Sequence, residues 1–367
     1  MSELYVGLMS GTSMDGIDAA LVEFDESSLN ILHTHEFDYP SGLREQLLAA
    51  ITIPLDQPID NVTELNTATG ECFRDAALQL LRQAGVSAKD VIAIGSHGQT
   101  LRHQPDAEIP FSLQIADAQL IADSTGIPTI ADFRSADIAA GGQGAPLAPY
   151  FHEWLFRTPG KTRCVLNVGG VANVTVIADS EDTIGFDTGP GNSLMDAWIR
   201  LHRSEKFDQD GAWAANGNVD DELLEQFLAD PYFAFAPPKS TGFEHFNLEW
   251  IQGHDLGAAA PADVQATLCE LSAVTIADAI IDYAPAASDV LVCGGGAHNP
   301  TLMRQLATRL SDIDVKPSSD AGLDPDWVEA AAFAWLAMRH RRNLPGNLPS
   351  VTGASESVVL GRLHQPH

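Results

Sequence analysis

The stretch LYVGLMSGTSMDGIDAALVEF, residues 4–24, is the segment from which the fold of this chain can be predicted. Its two apolar runs, residues 4–9 and 17–24, flank a turn rich in Ser, Gly, Thr and Asp, a pattern typical of a β-hairpin. Gly11 and Gly16 let the backbone approach a ligand closely, and converging N–H groups in a tight turn can form an anion-binding nest. The residues alone leave two interpretations open, an ordinary polar turn and a phosphate-binding turn.

The composition is typical of a globular protein that is long enough for two domains. The chain has 367 residues, of which 45% are hydrophobic and 19% charged. The N-terminus lacks the pattern of a signal peptide, and no apolar run approaches the roughly 20 residues of a membrane span. The cysteines are scattered, which favours a reduced cytoplasmic protein over a disulfide framework or structural zinc site. They are Cys72, Cys164, Cys269 and Cys293.

The formal net charge of −30 limits the classes of partner. Nucleic acids and anionic membranes require a basic surface, so neither is an expected partner. The same charge repels ATP at long range. A phosphate-binding site in this chain therefore needs backbone N–H groups, a few arginines and a bound Mg²⁺ to become locally positive.

Strand-like and helix-like segments alternate along the chain, and this order predicts an α/β fold. The run GGQGAP at residues 141–146 is the clearest break in composition, so we expect a domain junction within residues 125–145. Residues 163–177 repeat the strand, glycine turn and strand of residues 4–24, which indicates two related halves. The predicted domains are residues 1–130 with 345–367, and residues 131–344.

Four glycine-rich turns follow apolar strands, while the standard motifs of P-loop NTPases, Rossmann dehydrogenases, serine hydrolases and zincins are absent. Ligand crevices form beyond strand ends in α/β folds, so four such turns predict a ligand cleft. The turns are residues 10–16, 167–173, 187–192 and 294–299.

Residues 7–18, GLMSGTSMDGID, closely resemble the opening signature of the anhydro-N-acetylmuramic acid kinases. The resemblance extends over about residues 5–363, with further motifs at residues 95–100, 131–149, 167–173, 186–198 and 294–299. This family belongs to the superfamily of sugar kinases, actin and chaperone ATPases. The resemblance therefore implies two ribonuclease-H-like (actin-like ATPase) domains around a central nucleotide and sugar cleft.

The resemblance implies ATP and Mg²⁺ as cofactors. The first two glycine turns correspond to the two phosphate loops of the family, and residues 292–299 correspond to its adenosine loop. The implied nucleotide-binding residues are Gly11, Thr12, Ser13, Met14, Asp15, Gly16, Ile17, Asp18, Asn167, Gly169, Gly170, Asn173, Gly294, Gly295, Gly296 and Asn299.

The magnesium ligands are less directly indicated by the sequence. Actin and many sugar kinases have aspartates where this chain has Met9 and Asn167. Asp15 and Asp18 are the predicted metal ligands, and Asp187 is a further candidate.

Asp187, in the segment FDTGPGN of residues 186–192, is the predicted catalytic residue. A carboxylate at the end of a strand, before a flexible turn, suits a general base, although the residues alone favour a helix-capping Asp. The resemblance implies that ATP phosphorylates the 6-oxygen of 1,6-anhydro-N-acetylmuramic acid while water opens the anhydro bridge. Asp187 would accept the proton of that water. The implied product is N-acetylmuramic acid 6-phosphate, an intermediate of cell-wall (peptidoglycan) recycling.

The sugar site is predicted from the resemblance and from the chemistry of the substrate, which carries a lactyl carboxylate and hydroxyls. Arg134 is suited to bind that carboxylate through a bidentate contact, but a salt bridge to Asp132 or Asp137 is an equally open interpretation. His97 is also open to a purely structural role, and Glu329 to a favourable interaction with the helix dipole. The implied substrate-binding residues are His97, Gln99, Thr100, Arg134, Asp187, Gly191, Asn192 and Glu329.

Three alternatives differ in testable ways. A kinase for another anhydro-sugar such as levoglucosan would differ only in the acceptor pocket, where Arg134 discriminates. An actin-type ATPase would hydrolyse ATP without any sugar. A glycoside hydrolase would use Asp187 and Glu329 without ATP, which the phosphate-loop turns argue against. The partners implied by the family are ATP, a small sugar and a second copy of the chain in a homodimer.

Overall fold

The computed structural model describes residues 3–11, 14, 16–26, 28–242 and 244–367. The strands are β1 Glu3–Met9, β2 Gly16–Phe24, β3 Leu29–Asp38, β4 Val91–Ser96, β5 Gln99–Gln104, β6 Phe111–Ile115, β7 Thr129–Ala131, β8 Thr162–Val168, β9 Val171–Ile177, β10 Ile184–Pro190, β11 Ala287–Cys293, β12 Asp314–Pro317 and β13 Arg362–His364. The α-helices are α1 Ser41–Thr52, α2 Val62–Ala84, α3 Ala118–Thr125, α4 Ser135–Ala139, α5 Ala148–Phe156, α6 Ser193–Arg203, α7 Asp221–Leu228, α8 Leu248–Gln252, α9 Pro261–Tyr283, α10 Pro300–Arg309, α11 Val328–Arg341 and α12 Pro349–Thr352.

The chain folds into two compact units. The first unit is Met1–Leu155 with Trp327–His367, and the second is Phe156–Asp326. These boundaries differ from the predicted domains, because residues 131–155 and 327–344 pack with the first unit. A close backbone approach explains part of the difference. A Cβ on Gly7 in β1 or Gly95 in β4 would overlap the backbone of α11, so this late helix lies directly on the first sheet.

The first unit is built on a six-stranded sheet in the order β13-β7-β4-β1-β2-β3. β1, β2 and β3 are antiparallel neighbours, whereas β1, β4 and β7 run parallel. The pairing of Met9 with Asp18 closes the β1–β2 ladder, which confirms the predicted hairpin. Helix α2 carries an apolar face of Leu65, Phe73 and Leu80 into the core beneath this hairpin.

The second unit repeats this arrangement with a five-stranded sheet in the order β10-β9-β8-β11-β12. Its first three strands are antiparallel neighbours, and β8, β11 and β12 run parallel. In both units an antiparallel three-stranded meander is extended by parallel strands beside its first strand. The shared order confirms the predicted α/β fold with two ribonuclease-H-like domains.

Helix α9 forms much of the core of the second unit. Within the described part of the chain, it is the one helix that is long and apolar enough to cross a membrane by length and composition. The share of its most apolar window that is buried within the protein is 83%, as in a core helix. The helix itself was predicted from its periodic apolar residues, but the expectation that no apolar run approaches the length of a membrane span is wrong for it, because Ala, Ser and Thr separate its large aliphatic side chains.

Candidate active site

In the first unit, five side chains that are distant in sequence form what we call the Arg134 cluster: Ser10, His97, Gln99, Arg134 and Glu329. Ser10 follows β1, His97 lies in the turn from β4 into β5, and Gln99 begins β5. Arg134 immediately precedes α4, and Glu329 lies in the first turn of α11. The parallel strands β1 and β4 end at the same edge of the sheet, which brings these loops together.

Hydrogen bonds fix the guanidinium of Arg134 in this cluster. Its Nη1 donates to the carbonyl oxygen of Gly144 at 2.9 Å, and its Nη2 lies 2.9 Å from His97 Nε2. His97 Nδ1 lies 3.2 Å from the carbonyl oxygen of Ser10, which can only accept. We therefore assign the hydrogen of a neutral His97 to Nδ1, so that Nε2 accepts from Arg134. Burial, helped by the charge of Arg134, lowers the pKa of His97 to about 3.

Arg134 keeps donors that nothing in the described structure uses. Its buried Nε has no hydrogen-bond partner. Burial lowers the pKa of Arg134 to about 10, while Glu329 opposes this shift. Burial also raises the pKa of the Glu329 carboxyl, against the effect of Arg134. A buried guanidinium with an unused N–H is a site that an anionic ligand can complete.

The alternative salt bridges of Arg134 are not the contacts that the structure shows. Asp137 is fully buried, and its carboxylate accepts hydrogen bonds from Gly144 N–H, Asn347 and Thr352. Asp137 therefore connects residues 347–352 to the loop after α4 through hydrogen bonds.

Gln99, a predicted sugar contact, is engaged within the fold. Its side chain is fully buried, with Oε1 lying 2.8 Å from Ser10 Oγ and Nε2 donating to the carbonyl oxygen of Gly11 at 3.2 Å. Thr100 Oγ1 accepts a hydrogen bond from Gln114 at 3.1 Å. The amide of Gln99 thus stabilises the start of the first glycine turn through Ser10 and Gly11.

In the described part of that first turn, the predicted ligand contacts Met14 and Ile17 have buried side chains. Met14 has a left-handed backbone with φ of 53°, and its side chain is buried in the core, as is that of Ile17. Gly16 and Asp18 lie on β2, and Asp18 is half-buried. Met14 and Ile17 can therefore reach a ligand only through their backbones. The predicted contacts at Thr12, Ser13 and Asp15 lie outside the described residues.

In the second unit, Asp187 lies within β10, and this corrects the expectation that it begins a turn. Strand pairing places Asn167 opposite Asn173, and Asn173 opposite Asp187. Directly paired residues of antiparallel strands point to the same face of a sheet. The three side chains therefore form one polar row across β8, β9 and β10. The chain neighbours Val168, after Asn167, and Phe186, before Asp187, are buried.

Three hydrogen bonds from residues 232–241 hold Asp187. Its N–H donates to the carbonyl oxygen of Lys239 at 3.1 Å, and its carbonyl oxygen accepts from the Tyr232 hydroxyl at 2.8 Å. Its carboxylate oxygen Oδ2 accepts from the Thr241 N–H at 3.0 Å. Asp187 does not cap α6, since the residue at the N-cap position is Asn192.

Burial raises the pKa of Asp187 to about 6. The Thr241 N–H and Lys239 oppose this shift, whereas the charge of Glu244 adds to it. The carboxyl is therefore mostly ionised at neutral pH, yet it holds a proton far more readily than an exposed Asp does. These are the properties of a general base that works near neutral pH.

The predicted nucleotide-binding glycines of the second unit divide into two classes. Gly294 has φ of 74°, and a Cβ on Gly296 would overlap Val168, so the fold itself requires both. Gly169, Gly170 and Gly295 have no positive φ, and the nearest atoms to an added Cβ lie at 3.7, 3.8 and 3.9 Å. The fold has room for side chains at these three positions. Their absence leaves backbone open to a ligand.

Hydrogen bonds join two of the predicted ligand-binding turns. The N–H groups of Gly191 and Asn192 donate to the carbonyl oxygens of Gly170 and Gly169, both at 2.8 Å. Asn299, by contrast, caps α10, because its Oδ1 accepts from the N–H groups of Thr301 and Leu302. Its side chain is therefore engaged in the fold.

Comparison with known proteins identifies the family. The family model described as anhydro-N-acetylmuramic acid kinase matches residues 3–366. The chain belongs to the anhydro-N-acetylmuramic acid kinase family. A relative of that name from Shewanella halifaxensis is 50% identical over 98% of this chain and 98% of its own length. Another from Xanthomonas campestris is 50% identical over 99% of this chain and 97% of its own. The resemblance drawn from the sequence is confirmed, and the chain is a kinase.

Among solved structures, component A of (R)-2-hydroxyglutaryl-CoA dehydratase from Acidaminococcus fermentans is similar, with a TM-score of 0.49 and 10% identity. The match covers 91% of this chain and 96% of that chain.

The residues present fit the nucleotide that a kinase requires. Gly169, Gly170 and Gly295 leave the open backbone that a phosphate chain or a nucleoside can occupy. Among the described residues, no three His, Cys, Asp or Glu side chains group together to hold a metal ion. Mg²⁺ in kinases is held by one or two carboxylates together with phosphate oxygens and waters, so a single carboxylate such as that of Asp18 fits this chemistry.

The residues around Asp187 that sequence reasoning missed are Tyr232, Lys239 and Thr241. The Lys239 ammonium lies 4.8 Å from the centre of the Tyr232 ring, and its Nζ is 3.4 Å from the Tyr232 carbonyl oxygen. Lys, Ser, Thr and Gly follow two prolines at residues 237–242, and this polar run was the available signal. It resembled an ordinary loop, because nothing local connects it to Asp187.

Proposed function

We propose that this chain uses ATP to phosphorylate the 6-oxygen of 1,6-anhydro-N-acetylmuramic acid, with water opening the anhydro bridge. The product is N-acetylmuramic acid 6-phosphate, and the process served is cell-wall recycling. The observation that carries the proposal is the half-buried carboxylate of Asp187, which accepts a hydrogen bond from the Thr241 N–H, has a raised pKa and lies in line with Asn167 and Asn173. The name shared by close relatives over the full length supports the substrate.

Asp187 is proposed as the general base toward the water. Phosphoryl transfer needs little covalent help from the protein, whereas attack of neutral water on the anomeric carbon requires removal of a proton. The oxygen Oδ2 is engaged by the Thr241 N–H, which leaves Oδ1 for the water. A carboxyl with a pKa of about 6 can accept that proton and release it again at neutral pH.

Arg134 is proposed to bind the lactyl carboxylate of the sugar. His97 and Gly144 each engage one terminal nitrogen of its guanidinium, so the plane is set before the ligand arrives. The free Nε–H and the remaining N–H groups can then form a bidentate contact. Further sugar contacts are proposed at Thr100, Gly191, Asn192 and Glu329, while Gln99 acts through the turn that it supports.

The proposed nucleotide contacts of the first unit are in the first turn, residues 11–18, and those of the second unit are its open glycines, considered separately. Asp15 and Asp18 remain the proposed ligands of Mg²⁺, which would neutralise charge on the phosphates when bound. A cytoplasmic location and a homodimer remain predictions from the sequence. The location was predicted in part from the cysteines, all four of which are free and buried.

The two classes of glycine should respond differently to alanine. Gly170→Ala should leave the melting temperature within about 2 °C of the wild type, because the added Cβ fits. Its KM for ATP should rise about tenfold or more, because the Cβ fills the space proposed for phosphate. Gly296→Ala, the matched control, should lower stability by about 1–3 kcal/mol through overlap with Val168. An unchanged KM for ATP in Gly170→Ala would contradict the proposed phosphate site.

The function itself is tested by ATP consumption with Mg²⁺ in the presence and absence of 1,6-anhydro-N-acetylmuramic acid, with mass spectrometry of the sugar. We expect ADP release that depends on the sugar, and a product heavier by one phosphoryl group and one water. A product that gains the phosphoryl group alone would remove the proposed role of Asp187. ATP turnover that is indifferent to the sugar would overturn the proposed function.

A further inference from the structure

The Thr241 side chain is the least explained polar group beside Asp187. Its backbone N–H donates to Asp187 Oδ2 at 3.0 Å, so the residue adjoins the carboxylate. Its hydroxyl is buried, yet Oγ1 has no hydrogen-bond partner. A hydroxyl can donate one hydrogen bond and accept two. Leaving it unsatisfied in a buried position is unfavourable, so such a group normally has a water or a ligand beside it.

The carboxylate of Asp187 has unused capacity as well. Within the described part of the chain, its oxygen Oδ1 accepts no hydrogen bond, while Oδ2 is engaged by Thr241. One residue thus both orients the carboxylate and carries an unpaired hydroxyl. A water molecule bound by both groups would donate one hydrogen to Oδ1 and use a second hydrogen bond to Thr241 Oγ1.

Packing alone gives no reason for threonine at this position. Valine has nearly the same shape and would avoid burying an unpaired hydroxyl. The neighbouring Ser240 is exposed and has no contact with Asp187 among the hydrogen bonds of the described residues. The hydroxyl of Thr241 is therefore better explained by a bound water than by the fold.

We infer that Thr241 binds and orients the water from which Asp187 takes a proton. This inference rests on the proposed function and adds a residue to it. In the step, an O–H bond of the water breaks and its proton moves to Asp187 Oδ1. The water oxygen forms the bond to the anomeric carbon as the bond from that carbon to the 6-oxygen breaks. The 6-oxygen takes the γ-phosphoryl group of ATP, and ADP leaves.

Thr241→Val and Thr241→Ser separate this role from a structural one. Thr241→Val replaces the hydroxyl by a methyl group of nearly the same size, and we expect kcat to fall about 10- to 100-fold while KM for ATP changes less than twofold. Its melting temperature should stay within about 2 °C of the wild type, because valine has nearly the same shape as threonine. Thr241→Ser keeps the hydroxyl and should retain at least about a third of the wild-type kcat. Ser240→Ala is the matched control and should behave like the wild type.

The outcomes distinguish the inference from the function on which it rests. Wild-type kcat in Thr241→Val would overturn the role of Thr241 while leaving the kinase intact. Equal loss of kcat in the valine and serine variants, with lowered melting temperatures, would show a structural role and would also overturn it. Sugar-independent ATP turnover by the wild type would instead overturn the proposed function itself.

Discussion

Replacing Asp187 by asparagine should lower kcat for sugar-dependent ADP release by about 10³-fold, within the range for loss of a positioned general base. Asparagine has the same shape and can still accept the Thr241 N–H, so the local structure should persist. KM for ATP should change little. Steady-state assays with the anhydro-sugar measure this, and mass spectrometry of the residual product shows whether water is still incorporated.

Asp182→Asn is the matched control for this variant, because it makes the same chemical change at an exposed position of the same unit. Its kcat should equal that of the wild type. An Asp187→Asn enzyme that keeps more than about a tenth of the wild-type rate would contradict the assignment of the base, since general-base catalysis contributes at least about 10².

The pH dependence provides a second readout of Asp187. The base is active when ionised, so wild-type kcat should rise as pH increases through about 6 and level off above it. Asp187→Asn should lack this limb. The free energy of unfolding should change in the opposite direction to kcat. Because the pKa of Asp187 is higher in the folded state than in the unfolded state, the unfolded state loses this proton first, and the free energy of unfolding falls as pH rises from about 4 to 6. The asparagine variant should lose that part of the pH dependence.

Replacing Arg134 by lysine should raise KM for 1,6-anhydro-N-acetylmuramic acid about 100-fold. Lysine keeps the charge near Glu329 but cannot serve His97, Gly144 and a carboxylate at once from one planar fork. Two charge-assisted hydrogen bonds at about 1.5 kcal/mol each correspond to a change of that size. KM for ATP should stay within about threefold. Initial rates at varied sugar concentration measure the effect.

The control for Arg134 is a substrate without the carboxylate. With 1,6-anhydro-N-acetylglucosamine, the wild type and Arg134→Lys should differ by less than about threefold, because the contact that lysine weakens is missing from both. Arg82→Lys, at an exposed position on α2, should match the wild type with both sugars. An equal penalty on both sugars would show that Arg134 acts through the fold rather than through the lactyl group.

Local pattern was sufficient for the elements with strong signals. The apolar runs around the first turn predicted the β1–β2 hairpin, and the repeated order at residues 163–177 predicted the second hairpin.

The position of Asp187 was predicted less well. β10 continues through Asp187 to Pro190, because pairing with β9 outweighs the turn propensity of its Thr, Gly and Pro residues. The burial of Gln99 was not predicted, because its partners Ser10 and Gly11 lie 89 and 88 residues away in the chain.

The sequence by itself determined the family and the two related α/β halves, and it indicated Asp187 and Arg134 as the foremost candidates for the site. These follow from residue type and short-range order, which the linear chain contains in full. Only the tertiary structure decided which N–H groups of Arg134 are free, which glycines leave open space, and that Thr241 adjoins Asp187. The hydrogen bonds responsible span 37 residues from His97 to Arg134 and 54 from Asp187 to Thr241. Protonation, burial and unused hydrogen-bonding capacity depend on such distant neighbours, and no local pattern specifies them.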